Sequence, residues 1–258
     1  MAVSTFWKGR SKAAGVHFVL SLLVAAVAAL LVFFVWYPYP YREISGGREL
    51  FFIVVAVDVI MGPLMTLAVF NLAKPRAELM RDLAIIGLLQ LTALGYGLWT
   101  VSVARPVHLV YEIDRFRVVH AVDIPRELME KAPPQFRQLP LTGPTLLSVR
   151  DFKNSNESFE ATMAATQGLH ISARPDLWQD YATAKTQILT HTRPLADLKK
   201  RFPERTADID VALVKAGAQA RQPATLAYVP MIGRDLFWTV LLDANTTEVI
   251  AFVPIDSF

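Results

Sequence analysis

The chain has 258 residues, of which 53% are hydrophobic and none is cysteine, and its mean hydropathy is +0.34. This composition excludes a disordered chain and a disulfide scaffold, and it favours a membrane protein. The net charge of +3 comes from residues 1–104, which hold eight Lys/Arg and five Asp/Glu, whereas residues 105–258 hold 18 of each. A nucleic-acid partner is excluded, because its electrostatic footprint would lie on a folded domain.

Three windows are long and apolar enough to cross a membrane, at about residues 13–36, 50–70 and 83–103. Each meets the requirement of roughly 20 mostly apolar residues for a spanning helix. The first window follows a basic arm, as a secretory signal does, but it is longer than the roughly 7 to 15 residues of a signal core. It also ends at an interfacial pair, Trp36 and Tyr37, so we expect it to be retained as a span.

The positive charges predict how the spans are oriented, because Lys and Arg are enriched in cytoplasmic loops. The basic residues lie mainly in the arm before the first span and in the loop between the second and third: Lys8, Arg10, Lys12, Lys74, Arg76 and Arg81. The loop between the first two spans has only Arg42 and Arg48. The sequence therefore predicts a multi-pass membrane protein with the N-terminus in the cytoplasm and residues 105–258 on the far side, which for the inner membrane of a Gram-negative bacterium is the periplasm.

The loop after the first span reads YPYPYREISGG, which is rich in tyrosine and interrupted by proline and glycine. We interpret it as a short turn at the level of the lipid headgroups, where tyrosine acts as an anchor. The alternative is a contact surface for a partner at the outer face of the membrane.

The second span contains an ionisable residue, Asp58, followed by Gly62 and Pro63. An acid facing hydrocarbon costs at least about 2.5 to 3.5 kcal/mol, so such a residue usually faces the interior of a bundle or a partner. Pro63 has no N–H group, which frees the carbonyl of Val59 in an α-helix and kinks or loosens the helix. Asp58 and Pro63 together make one local polar defect.

The expected neighbours of Asp58 are the residues of the third span that lie at the same depth in the membrane. Thr92, Gly95 and Tyr96 lie at the same level, with Gln90 a little deeper. We expect Thr92, Tyr96 and Gln90 to bond internally with Asp58, while Gly95 and Gly97 let the helices approach closely. Three roles remain open: a contact within the bundle, a docking site for another transmembrane helix, and an ion path. The ion path is the least favoured, because three spans lack the discontinuous repeats of transporters.

The sequence of residues 105–258 predicts one α+β domain. Alternating apolar residues in VHLVYEIDRFRVVHAVDI indicate two strands that follow the third span directly, and helical segments are predicted between residues 154 and 221. The segments ATLAYVPMIG, LFWTVLLD and TEVIAFVPI are typical of strands. The predicted architecture is therefore a membrane protein with three N-terminal transmembrane helices in residues 1–104 and a mainly antiparallel α+β periplasmic domain in residues 105–258.

Residues 105–258 carry no recognisable catalytic pattern. There is no H-E-x-x-H, G-x-S-x-G or Walker A motif and no cysteine nucleophile. The histidines His108, His120, His170 and His191 lack the spacing of metal ligands, and His120 with Asp123 is only a weak constellation. We predict no enzymatic activity, no cofactor and no metal.

Several stretches resemble one family of membrane proteins: GVHFVLSLL, LLVFFVWYPYPY, VAVDVIMGPLMTLAVF, RDLAIIGLLQLTALGYGLWTV, ARPVHLVYEIDRFRVV and GRDLFWTVLLDANTTEVIAFVPID. They are similar to the TfpX/TfpZ family of type IV pilin accessory proteins. The resemblance implies three spans, a periplasmic domain and a role in the assembly or surface display of a pilin, without catalytic residues. The positions that match the family are Asp58, Gly62, Pro63, Thr66, Arg105, Pro106, Asp114, Arg115 and Phe116, none with an assigned chemical role.

The composition and the resemblance lead to one hypothesis. A type IV pilin is a single membrane helix with a globular head, so a helper needs an intramembrane docking site and an outer contact surface. We expect the docking site to be formed by Asp58, Gly62, Pro63, Thr66, Gln90, Thr92, Gly95 and Tyr96. We expect the membrane–periplasm junction to be formed by Arg105, Pro106, Asp114, Arg115 and Phe116. The expected partners are the pilin subunit, the pilus assembly machinery and membrane lipid; the alternative is a membrane-anchored periplasmic ligand sensor.

Overall fold

The computed structural model describes the backbone of residues 2–258 and the side chains of residues 7–258. The chain forms two compact units. The helical unit comprises the residues up to 39 and residues 46–104, and the sheet unit comprises residues 40–45 and 105–258. The short loop at 40–45 therefore belongs with the C-terminal residues, which the sequence did not predict.

Among the described residues, the helical unit contains three helices that are long and apolar enough to cross a membrane, at Trp7–Trp36, Gly47–Val69 and Arg76–Val103. The three long apolar helices predicted near the N-terminus are confirmed. The first span lies in α1 (Ala2–Leu30) and in the π-helical turn that follows it (Leu31–Trp36). The single turn α2 (Tyr41–Ile44) comes between the first two spans. The second span consists of α3 (Gly47–Ala56), a π-helical turn (Val57–Met61) and α4 (Gly62–Val69), and the third span is α5 (Arg76–Val103).

The helices of this unit are joined at one end by Tyr37. Its ring is fully buried, and its hydroxyl donates a hydrogen bond to the carbonyl of Val101 at 3.0 Å. A Cβ atom at Gly47 would overlap the Tyr37 ring, so the glycine allows α3 to begin directly against it. Phe51 and Val32 complete the apolar cluster around this contact.

The sheet unit is built on a mixed sheet of eight strands, mostly antiparallel, in the order β4-β3-β1-β2-β6-β7-β8, with β5 paired to β6. The strands are β1 (Pro106–Glu112), β2 (Arg115–His120), β3 (Thr145–Val149), β4 (Trp178–Asp180), β5 (Arg193–Pro194), β6 (Leu226–Ile232), β7 (Phe237–Asp243) and β8 (Val249–Val253). The helices are α6 (Arg126–Met129), α7 (Ser155–Thr166), α8 (Lys185–His191), α9 (Leu195–Arg201) and α10 (Thr206–Lys215). The α+β class predicted from the sequence is confirmed.

The residues in two hairpin turns account for how the strands beside them pair. β1 begins just after α5 ends at Val103 and pairs with β2 through a tight turn, in which Ile113 has a positive φ of 56°. At the β7–β8 turn, Asp243 Oδ1 accepts the N–H groups of Asn245 at 2.8 Å and Thr246 at 3.0 Å. Asp is favoured at such turns because its side chain can replace a backbone acceptor.

One predicted helical segment is wrong in part. In the segment DLWQDYATAKTQIL, Trp178–Asp180 forms strand β4, and the α-helix begins only at Lys185. β4 pairs with β3, and Trp178 is buried with its Nε1–H donated to the carbonyl of Ser172 at 2.8 Å. Pairing with a strand distant in sequence outweighed the local helical preference.

The loop at 40–45 contributes to the main core of the sheet unit. Ile44 is only 1% exposed, and it packs with Tyr41 in the cluster that contains Phe116 and Trp238. The backbone N–H of Arg234 donates to the carbonyl of Ile44 at 3.1 Å. These residues are structural parts of the sheet unit, whereas the sequence indicated an interfacial turn.

Candidate functional site

Asp58 lies at the middle of the second span, eleven residues from either end of the 23-residue helix Gly47–Val69. Its side chain is only 9% exposed. It is part of the π-helical turn Val57–Met61, and such turns are rare in α-helices and frequent at functional sites. The structure therefore places the one carboxylate of the three predicted spans inside the helical unit, at an irregular point of its helix.

Pro63 and Gln90 explain why this irregular point is tolerated. In a π-helical turn the carbonyl of a residue bonds to the N–H five positions later, and five positions after Asp58 is Pro63, which has no N–H. The side chain of Gln90, on α5, donates instead: its Nε2 lies 2.9 Å from the Asp58 carbonyl oxygen. The carbonyl that Pro63 leaves free in the π register is that of Asp58, whereas the α-helical prediction was Val59.

Gly62 provides the space for this contact. A Cβ atom at this position would overlap the side-chain amide of Gln90. Gly62, Pro63 and Gln90 thus form one arrangement, in which proline removes a donor, glycine opens the helix surface and glutamine supplies the replacement hydrogen bond. The structure brings these three predicted site residues together with Asp58.

Thr66 is joined to the first span by a residue that the sequence analysis missed. Thr66 is buried, and its Oγ1 lies 2.5 Å from Nδ1 of His17 on α1. The histidines that the sequence analysis weighed were all in residues 105–258. The available signal was that His17 lies within an apolar window, where an ionisable side chain is by default a candidate functional residue.

A cavity of about 190 Å³ lies among the three spans. Four polar residues contribute to its wall, His17 and Ser21 from α1, Asp58 from the second span and Gln90 from α5. The remaining wall is apolar and is formed by Leu20, Val24, Ala25, Val55, Gly87, Leu91 and Leu94. Within the part of the chain that the structure describes, the Asp58 carboxylate makes no hydrogen bond or ion pair.

Three other predicted docking residues lie elsewhere in the helical unit. Thr92 is exposed and donates to the carbonyl of Leu88 in its own helix at 2.8 Å. Tyr96 is 68% exposed and packs at a tilt against Trp99. No atom lies within 4 Å of a Cβ placed on Gly95, so the predicted close approach of helices does not occur there.

Close approach does occur at Gly97, the other glycine for which it was predicted, where a Cβ would overlap the side chain of Val54. Beside this contact an apolar groove of about 310 Å³ runs between α3 and α5. Tyr96 is among the residues that line it, with Ile53, Val57 and Thr100. Of the predicted docking residues, Tyr96 lies at this apolar groove, whereas Asp58 and Gln90 line the polar cavity.

The predicted junction residues lie at the start of the sheet unit. Arg105 donates to the carbonyl of Pro140, with Nη2 at 3.2 Å, and Pro106 begins β1. Phe116 is fully buried in the core. Asp114 and Arg115 form an ion pair at 2.7 Å at the β1–β2 turn.

Arg115 also belongs to an exposed aromatic patch. Its guanidinium lies 4.8 Å from the centre of the Phe258 ring, which meets the Phe237 ring edge to face at 5.6 Å. Phe237 is 49% exposed, Phe258 is 40% exposed and the neighbouring Leu236 is also exposed. We call these four residues the aromatic patch; exposed aromatic side chains with arginine are typical of contact surfaces.

Two buried histidines of the sheet unit, His120 and His108, bond to side chains of the same unit. His120 Nδ1 lies 3.1 Å from Asp123 Oδ2, which also accepts the His120 backbone N–H at 3.2 Å. His108 Nδ1 lies 2.7 Å from Thr145 Oγ1. Among the residues that the structure describes, no three His, Asp or Glu side chains are grouped so that they could hold a metal ion.

Three membrane-length helices and an α+β unit define a membrane-anchored protein with a substantial globular part. The family of the fimbrial assembly protein FimB matches residues 5–46. The chain is 40% identical over 250 residues to "Fimbrial assembly protein, serogroup I" of Dichelobacter nodosus, and the match covers 96% of each chain. It is 38% identical, with the same coverage, to the serogroup E1 protein, and 45% identical over 114 residues to the protein of serogroups C1 and C2, covering 44% of this chain and 87% of that relative.

The chain therefore belongs to the fimbrial assembly protein family. No solved structure matches it. The expectation of a fimbrial accessory family is confirmed, while the narrower TfpX/TfpZ resemblance stays a prediction.

Proposed function

We propose that this protein assists the assembly, stability or surface display of a type IV pilin without catalysing a reaction. The observation that carries the proposal is the match to fimbrial assembly proteins over 96% of both chains. Because that match includes the spans and the sheet unit together, the function belongs to the combined architecture. We assign no cofactor and no metal to it.

The proposed location is the bacterial inner membrane. The three membrane-length helices support insertion. The basic residues of the N-terminal arm, and Lys74, Arg76 and Arg81 between the second and third apolar windows, favour a cytoplasmic side for both segments. With three crossings, residues 105–258 lie in the periplasm. A pilin that waits in the same membrane is then accessible to both units of the protein.

In the membrane half of the proposal, the pilin helix docks against the helical unit. Support comes from the cavity that contains Asp58 and from the apolar groove between α3 and α5. A buried carboxyl in hydrocarbon is costly unless it meets a partner, and helices associate in membranes through close packing and hydrogen bonds between helices. Both features are suited to a second helix.

In the periplasmic half, the sheet unit contacts the globular head of the pilin. The aromatic patch of Arg115, Leu236, Phe237 and Phe258 supports this step, because aromatic and arginine side chains are enriched in protein interfaces. The ring contacts at 5.6 Å and 4.8 Å hold the patch in one arrangement before a partner arrives.

The test is co-purification of the tagged protein with pilin from native membranes in mild detergents, followed by mass spectrometry. Wild type is compared with Asp58→Leu and with Thr92→Leu, a matched change at an exposed polar residue of α5. We expect one pilin to be enriched by wild type and by Thr92→Leu, and to be lost with Asp58→Leu. Asp58→Asn, which keeps the size of the side chain, checks that the loss is not a failure to insert.

A Phe237→Ala, Phe258→Ala double variant tests the periplasmic half in the same experiment. If pilin still co-purifies with Asp58→Leu but not with the double variant, the contact lies at the aromatic patch alone. If no pilin is enriched by the wild-type protein in any of several detergents, the proposal fails and the sensor alternative returns. Normal surface piliation in cells that carry a folded Asp58→Leu protein would contradict the membrane half.

A further inference from the structure

No Lys or Arg lies within the spans to pair with Asp58, and His17, on the wall of the same cavity, is bonded through Nδ1 to Thr66 Oγ1. Among Asp, Glu, Lys and Arg, Asp58 is the only residue in the windows 13–36, 50–70 and 83–103. In the described part of the chain, neither its carboxylate nor the Ser21 hydroxyl across the cavity makes a hydrogen bond. A buried carboxylate is stabilised only when it is paired and hydrogen-bonded, so a group that pairs with Asp58 is favoured in this cavity.

Access to the cavity is from the side of the helical unit. Its wall includes Leu20, Val24 and Leu91, whose side chains are exposed on the outer surface of the helices. In a membrane that surface faces lipid, so a ligand arrives through the bilayer and not from water. The volume of about 190 Å³ is roughly six times the share of a water molecule in the liquid, which suits a single long side chain.

The polar atoms of the wall determine what chemistry fits. The Asp58 carboxylate only accepts hydrogen bonds when ionised. Gln90 donates one of its two Nε2–H groups to the Asp58 carbonyl, and its own carbonyl oxygen is a further acceptor. A ligand that pairs with Asp58 must therefore donate hydrogen bonds, and a positive charge would compensate the carboxylate. An ammonium group meets both requirements, since it has three donors and one charge.

We propose that this cavity is a binding site for a primary ammonium group carried on a transmembrane helix of a partner protein. The inference rests on the proposed function, since it names the chemistry by which the docked helix is recognised. Ser21, Asp58 and Gln90 surround the ammonium group, and the apolar wall packs against the carbon chain that carries it.

The test uses the full chain in lipid nanodiscs and synthetic helices of about 20 Leu and Ala residues, enough to span the hydrocarbon core. Three probes differ only at their central residue, which is Lys, Gln or Leu. Association is measured by energy transfer between fluorophores on the protein and the probe. We expect the Lys helix to bind the wild-type protein at least about tenfold more tightly than the other two, and Asp58→Asn to remove this preference.

Ser21→Leu fills the cavity and keeps Asp58, so it should also remove the preference, whereas Thr92→Val at the exposed face should retain it. Equal binding of the Lys and Gln helices would overturn recognition of charge, and equal binding of the Lys and Leu helices would overturn the site itself. Neither result depends on pilin, so this inference can fail while co-purification with pilin succeeds, and the reverse.

Discussion

The side chain of Gln90 donates a hydrogen bond to the backbone carbonyl of Asp58 at 2.9 Å, which links the third span to the irregular point of the second. The carbonyl needs this donor because Pro63, five residues later, has none. One side chain thus makes a π-helical turn acceptable in the middle of a span, and the same turn places the carboxylate of Asp58 at the wall of a cavity.

We predict that Gln90→Leu lowers the free energy of unfolding of the helical unit by about 0.6 to 1.7 kcal/mol, the range for hydrogen bonds between helices in a membrane protein. The loss arises because the Asp58 carbonyl is left without a donor. Unfolding in mixed micelles, driven by a denaturing detergent, provides the measurement. Thr92→Val is the matched control on the same helix, since Thr92 is exposed and bonds within α5; an equal loss in both variants would contradict the assignment.

Gly62→Ala should weaken the same contact by a different route. The added methyl group would occupy the position of the Gln90 amide, and the amide can move away only by giving up its hydrogen bond. We therefore expect Gly62→Ala to be destabilising in the wild-type protein and nearly neutral in a Gln90→Ala background. The measurement is a double-mutant cycle of unfolding free energies.

Gly95→Ala is the control for this cycle, because open space surrounds that position and alanine has the higher helix propensity. It should leave stability unchanged or raise it slightly. If the effects of Gly62→Ala and Gln90→Ala are simply additive, the two residues do not share one contact.

The sequence was sufficient to predict the three spans, because apolar runs of about 20 residues have few alternatives. It also identified Asp58, Gly62 and Pro63 as one polar defect. It did not distinguish Gln90 from Thr92 as the neighbour of Asp58. The position of a residue along its helix gives its depth in the membrane, but the neighbours it meets depend on how the two helices are rotated about their axes. The π-helical turn at Val57–Met61 changes this rotation for the second span.

Two other features depend on contacts that are distant in the sequence. Trp178 is in a strand because β3 lies beside it, and His17 belongs to the site because α4 brings Thr66 within hydrogen-bond distance. Local patterns carry no information about either pairing. The burial of Ile44 in the sheet unit is of the same kind, since its neighbours in that cluster lie at least 60 residues later in the chain, apart from Tyr41.

Ile44→Ala should destabilise the sheet unit although the residue lies between the first two spans in the sequence. Ile44 is fully buried against the core, and removal of a buried isoleucine side chain to alanine costs about 2 to 5 kcal/mol. Denaturant unfolding of the full chain in nanodiscs, followed by tryptophan fluorescence, measures the effect. Leu141→Ala, at an exposed leucine of the same unit, should cause little change, and equal losses would contradict the role of the loop.

The stability of the sheet unit should fall as the pH is lowered from about 6.5 to about 4 because of His108. Burial lowers the pKa of His108 to about 4, from an ordinary value near 6.5. Its ring is held in the neutral form beside Trp178, with ring centres 4.6 Å apart, and Nδ1 lies 2.7 Å from Thr145 Oγ1. Between these two pH values the unfolded chain takes up a proton that the folded unit does not, so protonation favours unfolding.

A shift of this size corresponds to about 3 kcal/mol between the two ends of the pH window. Unfolding free energies of the full chain, measured at intervals from pH 7 to pH 4, should decline for wild type and decline less for His108→Gln, which cannot take up the proton. His191→Gln, at an exposed histidine of the same unit, should retain the wild-type slope. If wild type and His108→Gln lose stability in parallel, the pH dependence comes from other groups and the buried neutral state of His108 does not contribute to it.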